Sequence, residues 1–237
     1  MKPEIFELLG FGARGWGLLL LESAGVTLAA AGCGFLLGSL MGIGGASLKV
    51  SKSRLARSIG HFYITVFRGI PEILVVYLFY FGGSVLLTKA MNFGSFPGFY
   101  SLPSFATGVI AIGIVSGAYQ TEAYRAAYLR LDRGQLEAGA SCGMSTFLLL
   151  RRIIAPQTLR FALPALGNIW QSALKETSLL SVIGLVELLR QSGTAAGSTR
   201  QPLVFYSAAA VIFLIMGRLT GSILYKFERH LSKPWGR

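Results

Sequence analysis

Charged residues are scarce in this chain of 237 residues: they make up 14% of it, and only 10 are acidic. Apolar residues make up 53%, and the mean hydropathy is +0.59. These values exclude an ordinary soluble domain. Two stretches, 23–48 and 201–217, contain no acidic or basic side chain. Helices of about 20 apolar residues cross a membrane, whereas barrel strands are shorter and alternate, so the sequence predicts an all-α integral membrane protein of one domain, 1–237.

Histidine and cysteine are also rare, with two of each. Two scattered histidines give a poor basis for an intramembrane enzyme, and the ligands are too few for a metal site. Cys33 lies in an apolar stretch and Cys142 in a polar one, which places them at different depths and disfavours a disulfide. A Gly-rich phosphate loop is absent as well. The sequence therefore predicts no catalysis, metal or cofactor in this chain.

The net charge of +12 comes from basic residues that cluster between the apolar stretches. This pattern is typical of cytoplasmic loops that face anionic membrane lipid, and it disfavours nucleic acid as a partner. We predict five spans, at about 16–48, 59–88, 103–124, 161–185 and 203–225, with an outer loop at 191–198. The basic loops follow spans one, three and five, so the N-terminus is predicted to be periplasmic and the C-terminus cytoplasmic.

The segment 132–160, between spans three and four, is unusually polar for this chain. Asp132 and Gln135 resemble a helix-capping pair, and Gly143 can adopt the backbone angles of a sharp break. The pattern predicts two short helices, with the second ending at Ala155-Pro156. An amphipathic hairpin resting on the membrane surface explains the spacing equally well.

The same segment resembles the cytoplasmic loop of ABC importer permeases. Glu137-Ala138-Gly139 is followed after three residues by Gly143, and after nine more by Ile153-Ile154-Ala155-Pro156. The family pattern is E-A-A, three residues, G, nine residues, I-x-L-P. The spacings agree, whereas Gly139 replaces the second alanine and Ala155 replaces leucine.

This resemblance implies a type I importer permease fold in which the segment forms coupling helices that dock on an ATP-hydrolysing subunit. Glu137 is then expected to pair with a basic residue of that subunit, and Gly143 to let the chain turn in its groove. The implied coupling residues are Glu137, Ala138, Gly139, Gly143, Ile153 and Pro156.

Further motifs at 67–72, 117–125, 134–138 and 174–184 are similar to those of polar amino-acid permeases, in particular the histidine/lysine/arginine/ornithine and octopine/nopaline subgroup. Members work in the bacterial inner membrane with a second permease subunit, similar or identical, two ATP-binding subunits and a periplasmic substrate-binding protein. The resemblance implies that ATP and magnesium are used by the partner ATPase.

Three acids within predicted spans are candidates for substrate contact, because a charged group in a membrane is costly. They are Glu72, Glu122 and Glu176. Each also has a local explanation: pairing with Arg68, Arg125 or Lys175 respectively. We expect Glu72 and Glu122 to supply part of the negative field for a cationic substrate group. Further candidates on this path are Tyr119, Gln120, Thr121, Thr177 and Ser178, the last two in a predicted helix break at 175–178.

A self-contained ion-coupled transporter or channel is the alternative function. The absence of an evident inverted repeat and the presence of the polar hairpin argue against it. The sequence does not distinguish octopine or nopaline from arginine, histidine or lysine as the substrate.

Overall fold

The structure, a computed structural model, describes residues 5–12, 15–93 and 98–231, and all regular elements in these ranges are helical. Two of the basic residues that follow the fifth predicted span, Lys233 and Arg237, lie outside the described residues. The helices are α1 (Ile5–Leu9), α2 (Gly17–Val50), α3 (Arg54–Gly69), α4 (Glu72–Tyr77), α5 (Gly83–Phe93), α6 (Ser104–Tyr128), α7 (Arg133–Ser141), α8 (Thr146–Leu149), α9 (Ala155–Glu176), α10 (Leu188–Thr199) and α11 (Pro202–Leu231). Two π-helical segments, Leu78–Gly82 and Leu150–Ile154, and a 3-10 helix, Thr177–Ile183, continue α4, α8 and α9.

Within the described ranges, three helical stretches are long and apolar enough to cross a membrane: Gly17–Val50, Glu72–Phe93 and Pro202–His230. The predicted spans 103–124 and 161–185 fall on α6 and α9, which are more polar. Half of α6 is buried, and it packs against α2, α3, α4 and α9. Such an inner helix is shielded from lipid by its neighbours, so its surface does not need to be apolar.

The predicted span 59–88 is not one straight helix. Helix α3 ends at Gly69, Ile70 is extended, and α4 begins at Glu72 after Pro71. The cause is local: the proline ring disfavours helical angles at Ile70, and Pro71 has no amide hydrogen to donate to the preceding turn. The break places an acidic side chain at the start of the new helix.

Glycines on α2 allow α6 to approach closely. A Cβ on Gly42 would come within 2.8 Å of Gln120 Cβ, and one on Gly38 within 3.0 Å of the backbone nitrogen of Gly117. By contrast, a Cβ on Gly44 would meet no atom within 4 Å. Of the three glycines at 42–45, Gly42 and Gly45 therefore face α6, and Gly44 does not.

These contacts predict different outcomes for two neighbouring substitutions. Gly42→Leu forces α2 and α6 apart and should destabilise the chain by about 1–3 kcal/mol, whereas Gly44→Leu, facing open space, should have little effect. The amount of protein in the membrane and its thermal aggregation temperature measure the difference. Equal behaviour of the two variants would contradict this account of the interface.

The predicted outer loop at 191–198 is wrong, because these residues belong to α10. Glu187 caps this helix: its carboxylate accepts hydrogen bonds from the backbone amides of Leu189 (2.9 Å) and Arg190 (2.8 Å). Ser192, Ala195 and Ala196 are buried where α10 packs against α11 and α2. The small size of these three side chains permits the close packing.

Candidate functional site

Two acidic side chains meet in a cavity of about 220 Å³ enclosed by α4, α6 and α9. Glu72 is the first residue of α4 and Glu176 the last of α9; both line this cavity, and their carboxyl groups are close enough to repel each other. Two carboxylates this close repel each other unless a proton or a cation lies between them. The negative end of the α9 dipole adds to the attraction for a cation.

The rest of the lining is polar and aromatic. Helix α6 contributes Ser116 and Tyr119, and α9 contributes Asn168, Ile169 and Ser172 beside Glu176. The guanidinium of Arg68 lies 5.0 Å from the centre of the Tyr119 ring, within the range of a cation–π contact. Arg68 therefore stacks on Tyr119, and the described ion pairs do not include the Arg68–Glu72 pair that the sequence suggested. A ligand here meets negative charge, hydroxyl and amide groups and one aromatic face.

Glu122 lies elsewhere. Its carboxylate accepts hydrogen bonds from Lys49 Nζ at 2.8 Å and from Arg125 Nε at 2.9 Å. These ion pairs tie the end of α2 to the end of α6 and occupy both carboxylate oxygens. The structure thus places Glu72 in one cavity with Glu176 and not with Glu122, and the local pairing of Glu122 with Arg125 is present.

Gln120 and Thr121 are fully buried between α2 and α6. The Gln120 side chain accepts a hydrogen bond from Ser39 Oγ (2.7 Å) and donates to Phe35 O and Ser116 Oγ. Thr121 Oγ1 donates to the carbonyl of Gly117. Gln120 thus bonds α6 to α2, whereas Thr121 bonds within α6 and packs against Gly45 of α2. Neither residue lines the cavity.

The predicted helix break at 175–178 is present, since α9 changes at Thr177 to a 3-10 helix. The Thr177 and Ser178 hydroxyls donate to the carbonyls of Leu174 and Lys175, both at 2.7 Å. Ser178 and Lys175 line a different cavity, next to α11. Among the predicted substrate residues, Glu72, Tyr119 and Glu176 therefore come together.

Sequence reasoning missed Ser116, Asn168 and Ser172. One signal could have found the last two: Asn168, Ser172 and Glu176 are spaced by four residues, so they form a polar stripe on one face of α9. Asn168 also lines a second cavity, between α9 and α11, that contains Glu228. The stripe thus connects the acidic cavity with a more distal one.

The polar hairpin is present as two antiparallel limbs. Asp132 caps α7 by accepting a hydrogen bond from the amide of Gly134 at 2.8 Å, and Gly143 turns the chain with φ of 77°. Gln135 does not act as the predicted capping partner: its Oε1 accepts a hydrogen bond from Gln157 Nε2 at 2.8 Å. That bond links the two limbs at their base.

The predicted end of the second helix at Pro156 is wrong. The π-helical segment Leu150–Ile154 lies directly before it, and α9 continues to Glu176. The amide of Ala155 donates to the carbonyl of Leu150, five residues back. A wider turn of this kind accommodates the missing amide and the bulky ring of a proline without ending the helix. The hairpin is therefore joined by a continuous helical rod to the residue Glu176 of the cavity.

Gly139 marks the contact between the limbs. It is buried, and a Cβ there would come within 2.6 Å of Leu149 Cδ2 and 3.0 Å of Ile153 Cδ1. The departure from alanine therefore permits close packing of the limbs. Glu137 and Ala138, in contrast, are exposed on α7, so they are available to a partner.

Substitutions at Gly139 should be graded by size. Alanine is expected to be tolerated, because the end of the flexible Leu149 side chain can move. Valine should destabilise the hairpin by about 1–3 kcal/mol. Limited proteolysis at the turn 142–145 measures the opening of the limbs; equal cleavage of the valine variant and the wild type would contradict the packing.

Comparison with known proteins identifies the family to which this chain belongs. Residues 34–233 match the family described as binding-protein-dependent transport system inner membrane component. The chain belongs to this family. It is thus the permease component of a binding-protein-dependent ABC importer in the inner membrane, which confirms the resemblance seen in the sequence motifs and decides against the self-contained transporter. Family members work with a partner permease, an ATPase and a binding protein.

Individual relatives match along almost the whole chain. The octopine transport system permease protein OccQ of Rhizobium meliloti is 49% identical over 91% of each chain. The nopaline transport system permease protein NocQ of Agrobacterium fabrum is 45% identical over 95% of this chain and 96% of its own. The histidine/lysine/arginine/ornithine transport system permease protein HisQ of Escherichia coli is 33% identical over 92% and 95%.

Solved structures share the fold. A chain from the crystal structure of an amino acid ABC transporter with histidines is 31% identical, with a TM-score of 0.74, and the match covers 91% of this chain and 95% of that one. A chain of the inward-facing MetNI methionine ABC transporter has a TM-score of 0.69 at 16% identity, covering 92% and 97%. The second match supports the type I importer permease fold alone.

Proposed function

We propose that this importer carries cationic amino acids or opines and that the cavity of Glu72 and Glu176 receives the cationic group. The observation that supports it is the meeting of two acidic side chains in a chain that has only 10. A guanidinium or ammonium group between the carboxylates would relieve their repulsion and donate to both. Relatives named for octopine, nopaline and basic amino acids agree with this chemistry.

The other lining groups suit the rest of such a substrate. The Tyr119 ring offers a face to a planar cation. Asn168, Ser116 and Ser172 can donate to a carboxylate, and Arg68 supplies positive charge next to Tyr119. The polar stripe from Glu176 to Asn168 then continues the path toward the second cavity.

The complete transporter, in this proposal, contains this chain, a second permease subunit (similar or identical), two ATP-binding subunits and a periplasmic substrate-binding protein. ATP and magnesium are bound by the ATPase subunits, and this chain binds no cofactor. Glu137, Ala138 and Gly143 contact the ATPase, while Gly139, Ile153 and Pro156 shape the hairpin that carries them. The continuous helical segment from Thr146 to Glu176 transmits movement of the hairpin to the cavity.

The proposed topology has five spans, with the N-terminus periplasmic and the hairpin and C-terminus cytoplasmic. A cysteine experiment tests it, since Cys142 in the hairpin turn is free and exposed. In a Cys33→Ser variant, a membrane-impermeant maleimide should label Cys142 in inside-out vesicles and not in intact spheroplasts. Labelling in spheroplasts alone would reverse the topology.

Substrate class is tested with the reconstituted transporter and its binding protein. Labelled arginine, histidine, lysine, octopine and nopaline are offered separately, with glutamate and leucine as competitors. The proposal predicts that at least one cationic compound is taken up and that neither competitor slows it at tenfold excess. Preferential uptake of an acidic or aliphatic amino acid would overturn the substrate assignment while leaving the family membership intact.

A further inference from the structure

An apolar cavity of about 450 Å³ lies at the hairpin end of the helices, apart from the acidic cavity. It is bordered by the end of α2, the end of α6 and the junction of α8 with α9, and it is open on one side, where several of its wall residues are exposed. Its walls include Ile43, Val50, Leu150, Ile154 and Leu159. Two of these, Leu150 and Ile154, belong to the π-helical segment, a type of element that is frequent at functional sites.

One polar group in this wall has no partner. Among the residues that the structure describes, Thr158 Oγ1 is the one buried polar side-chain atom without a hydrogen-bond partner. Threonines in helices commonly donate to the carbonyl four residues back, as Thr121 and Thr220 do here at 2.8 and 2.7 Å. A buried hydroxyl without a partner is unfavourable, and an acceptor on a ligand would satisfy it.

The chain segments that line the cavity lead directly to exposed basic residues. Val50 is followed closely by Lys52, Tyr128 by Arg130, and Leu150 by Arg151 and Arg152. None of these four forms one of the ion pairs found among the described residues. Basic pockets between membrane helices are suited to anionic lipid head groups. An apolar cavity, an unsatisfied hydroxyl and exposed basic residues one or two positions along the chain from its lining fit the three parts of one ligand.

We infer that this cavity binds an anionic phospholipid of the inner membrane. An acyl chain fills the apolar space, an ester carbonyl accepts from Thr158 Oγ1, and the head-group phosphate lies among Lys52, Arg130, Arg151 and Arg152. The lipid contacts both the spanning helices and the segment that joins the hairpin to α9. It thereby stabilises the position of the hairpin relative to the membrane.

The variant that tests this is Ala155→Leu. Ala155 lines the cavity, and leucine is the residue of the family pattern at this position, so the variant fills the space with a side chain that the fold accepts. Ala165→Leu, also at an exposed position of α9 but in the lining of none of the cavities described above, is the matched control. Thr158→Val removes the hydroxyl while keeping the shape of the side chain.

Each variant is purified together with its partner subunits and washed in mild detergent to remove bound lipid. The complex is then titrated with phosphatidylglycerol or with phosphatidylcholine, and the bound lipid is counted by mass spectrometry. We expect wild type and Ala165→Leu to bind phosphatidylglycerol preferentially, and Ala155→Leu to bind about tenfold more weakly. Thr158→Val should bind about fivefold more weakly and, without lipid, be at least as heat-stable as wild type.

Undiminished phosphatidylglycerol binding by Ala155→Leu, or equal binding of the two lipids by wild type, would overturn the inference. So would a cross-link showing that a helix of a partner subunit occupies the cavity. If Ala155→Leu does not assemble, Thr158→Val decides: unchanged lipid binding, or lower heat stability without lipid, would also overturn it.

Discussion

Glu137→Lys should abolish uptake while the chain remains in the membrane at its wild-type level. Glu137 is exposed on α7 and has no described ion-pair partner within the chain, so its reversal costs little folding stability. At the proposed contact with a basic residue of the ATPase, the change converts attraction into repulsion, which costs several kcal/mol at an interface. We expect uptake to fall at least about 100-fold. ATP hydrolysis should no longer respond to the loaded binding protein.

Two variants accompany this experiment. Glu137→Gln removes the charge without reversing it and should retain an intermediate uptake. Glu22→Lys reverses an exposed acid near the start of α2, at a distance from the hairpin, and should leave the coupling of uptake to hydrolysis unchanged. Normal uptake by Glu137→Lys would contradict the proposed contact with the ATPase. It would favour the alternative that the sequence left open, an amphipathic hairpin that rests on the membrane surface.

Glu72→Gln and Glu176→Gln should each raise the KM for a cationic substrate by about tenfold, and the double variant by about 100-fold. Each glutamine keeps the shape of the side chain but removes one charge-assisted hydrogen bond, which contributes about 1.5–3 kcal/mol. We expect the substitutions to change the KM because both carboxylates line the cavity in which the cation is proposed to bind. Uptake by proteoliposomes over a range of substrate concentrations measures it.

Glu122→Gln is the matched control for this pair. The same substitution leaves Lys49 and Arg125 with a weaker partner, so it should reduce the amount of folded protein and leave the KM unchanged. An increase in KM equal to that of the Glu72 and Glu176 variants would place Glu122 on the substrate path. An unchanged KM in the double variant would remove the acidic cavity from the path.

The sequence predicted local features of the hairpin well. Asp132 as a cap and Gly143 as the break were recognised because both depend on the backbone within a few residues. The same local reasoning was misleading at Pro156. There a π-helical turn, which has no sequence signal of comparable strength, lets the helix continue.

The candidate site was less accessible to prediction. Glu72 and Glu176, which are far apart in sequence, come to line one cavity because α4 packs against α6 and against the 3-10 helix that follows α9. Likewise, Lys49 reaches Glu122 across 73 positions. An isolated sequence shows which residues are charged, but it does not show which of them the packing of helices brings together. Only the stripe on α9, with its spacing of four, was available in advance.

We expect this chain to move a cationic substrate only when a partner ATPase drives it through the hairpin. The direct test is uptake of labelled substrate by proteoliposomes that contain either the complete transporter or this chain alone. We expect uptake by the complete transporter to require both internal ATP and the external loaded binding protein, and the chain alone to transport nothing under an imposed proton or sodium gradient. Gradient-driven uptake by the chain alone would contradict the account.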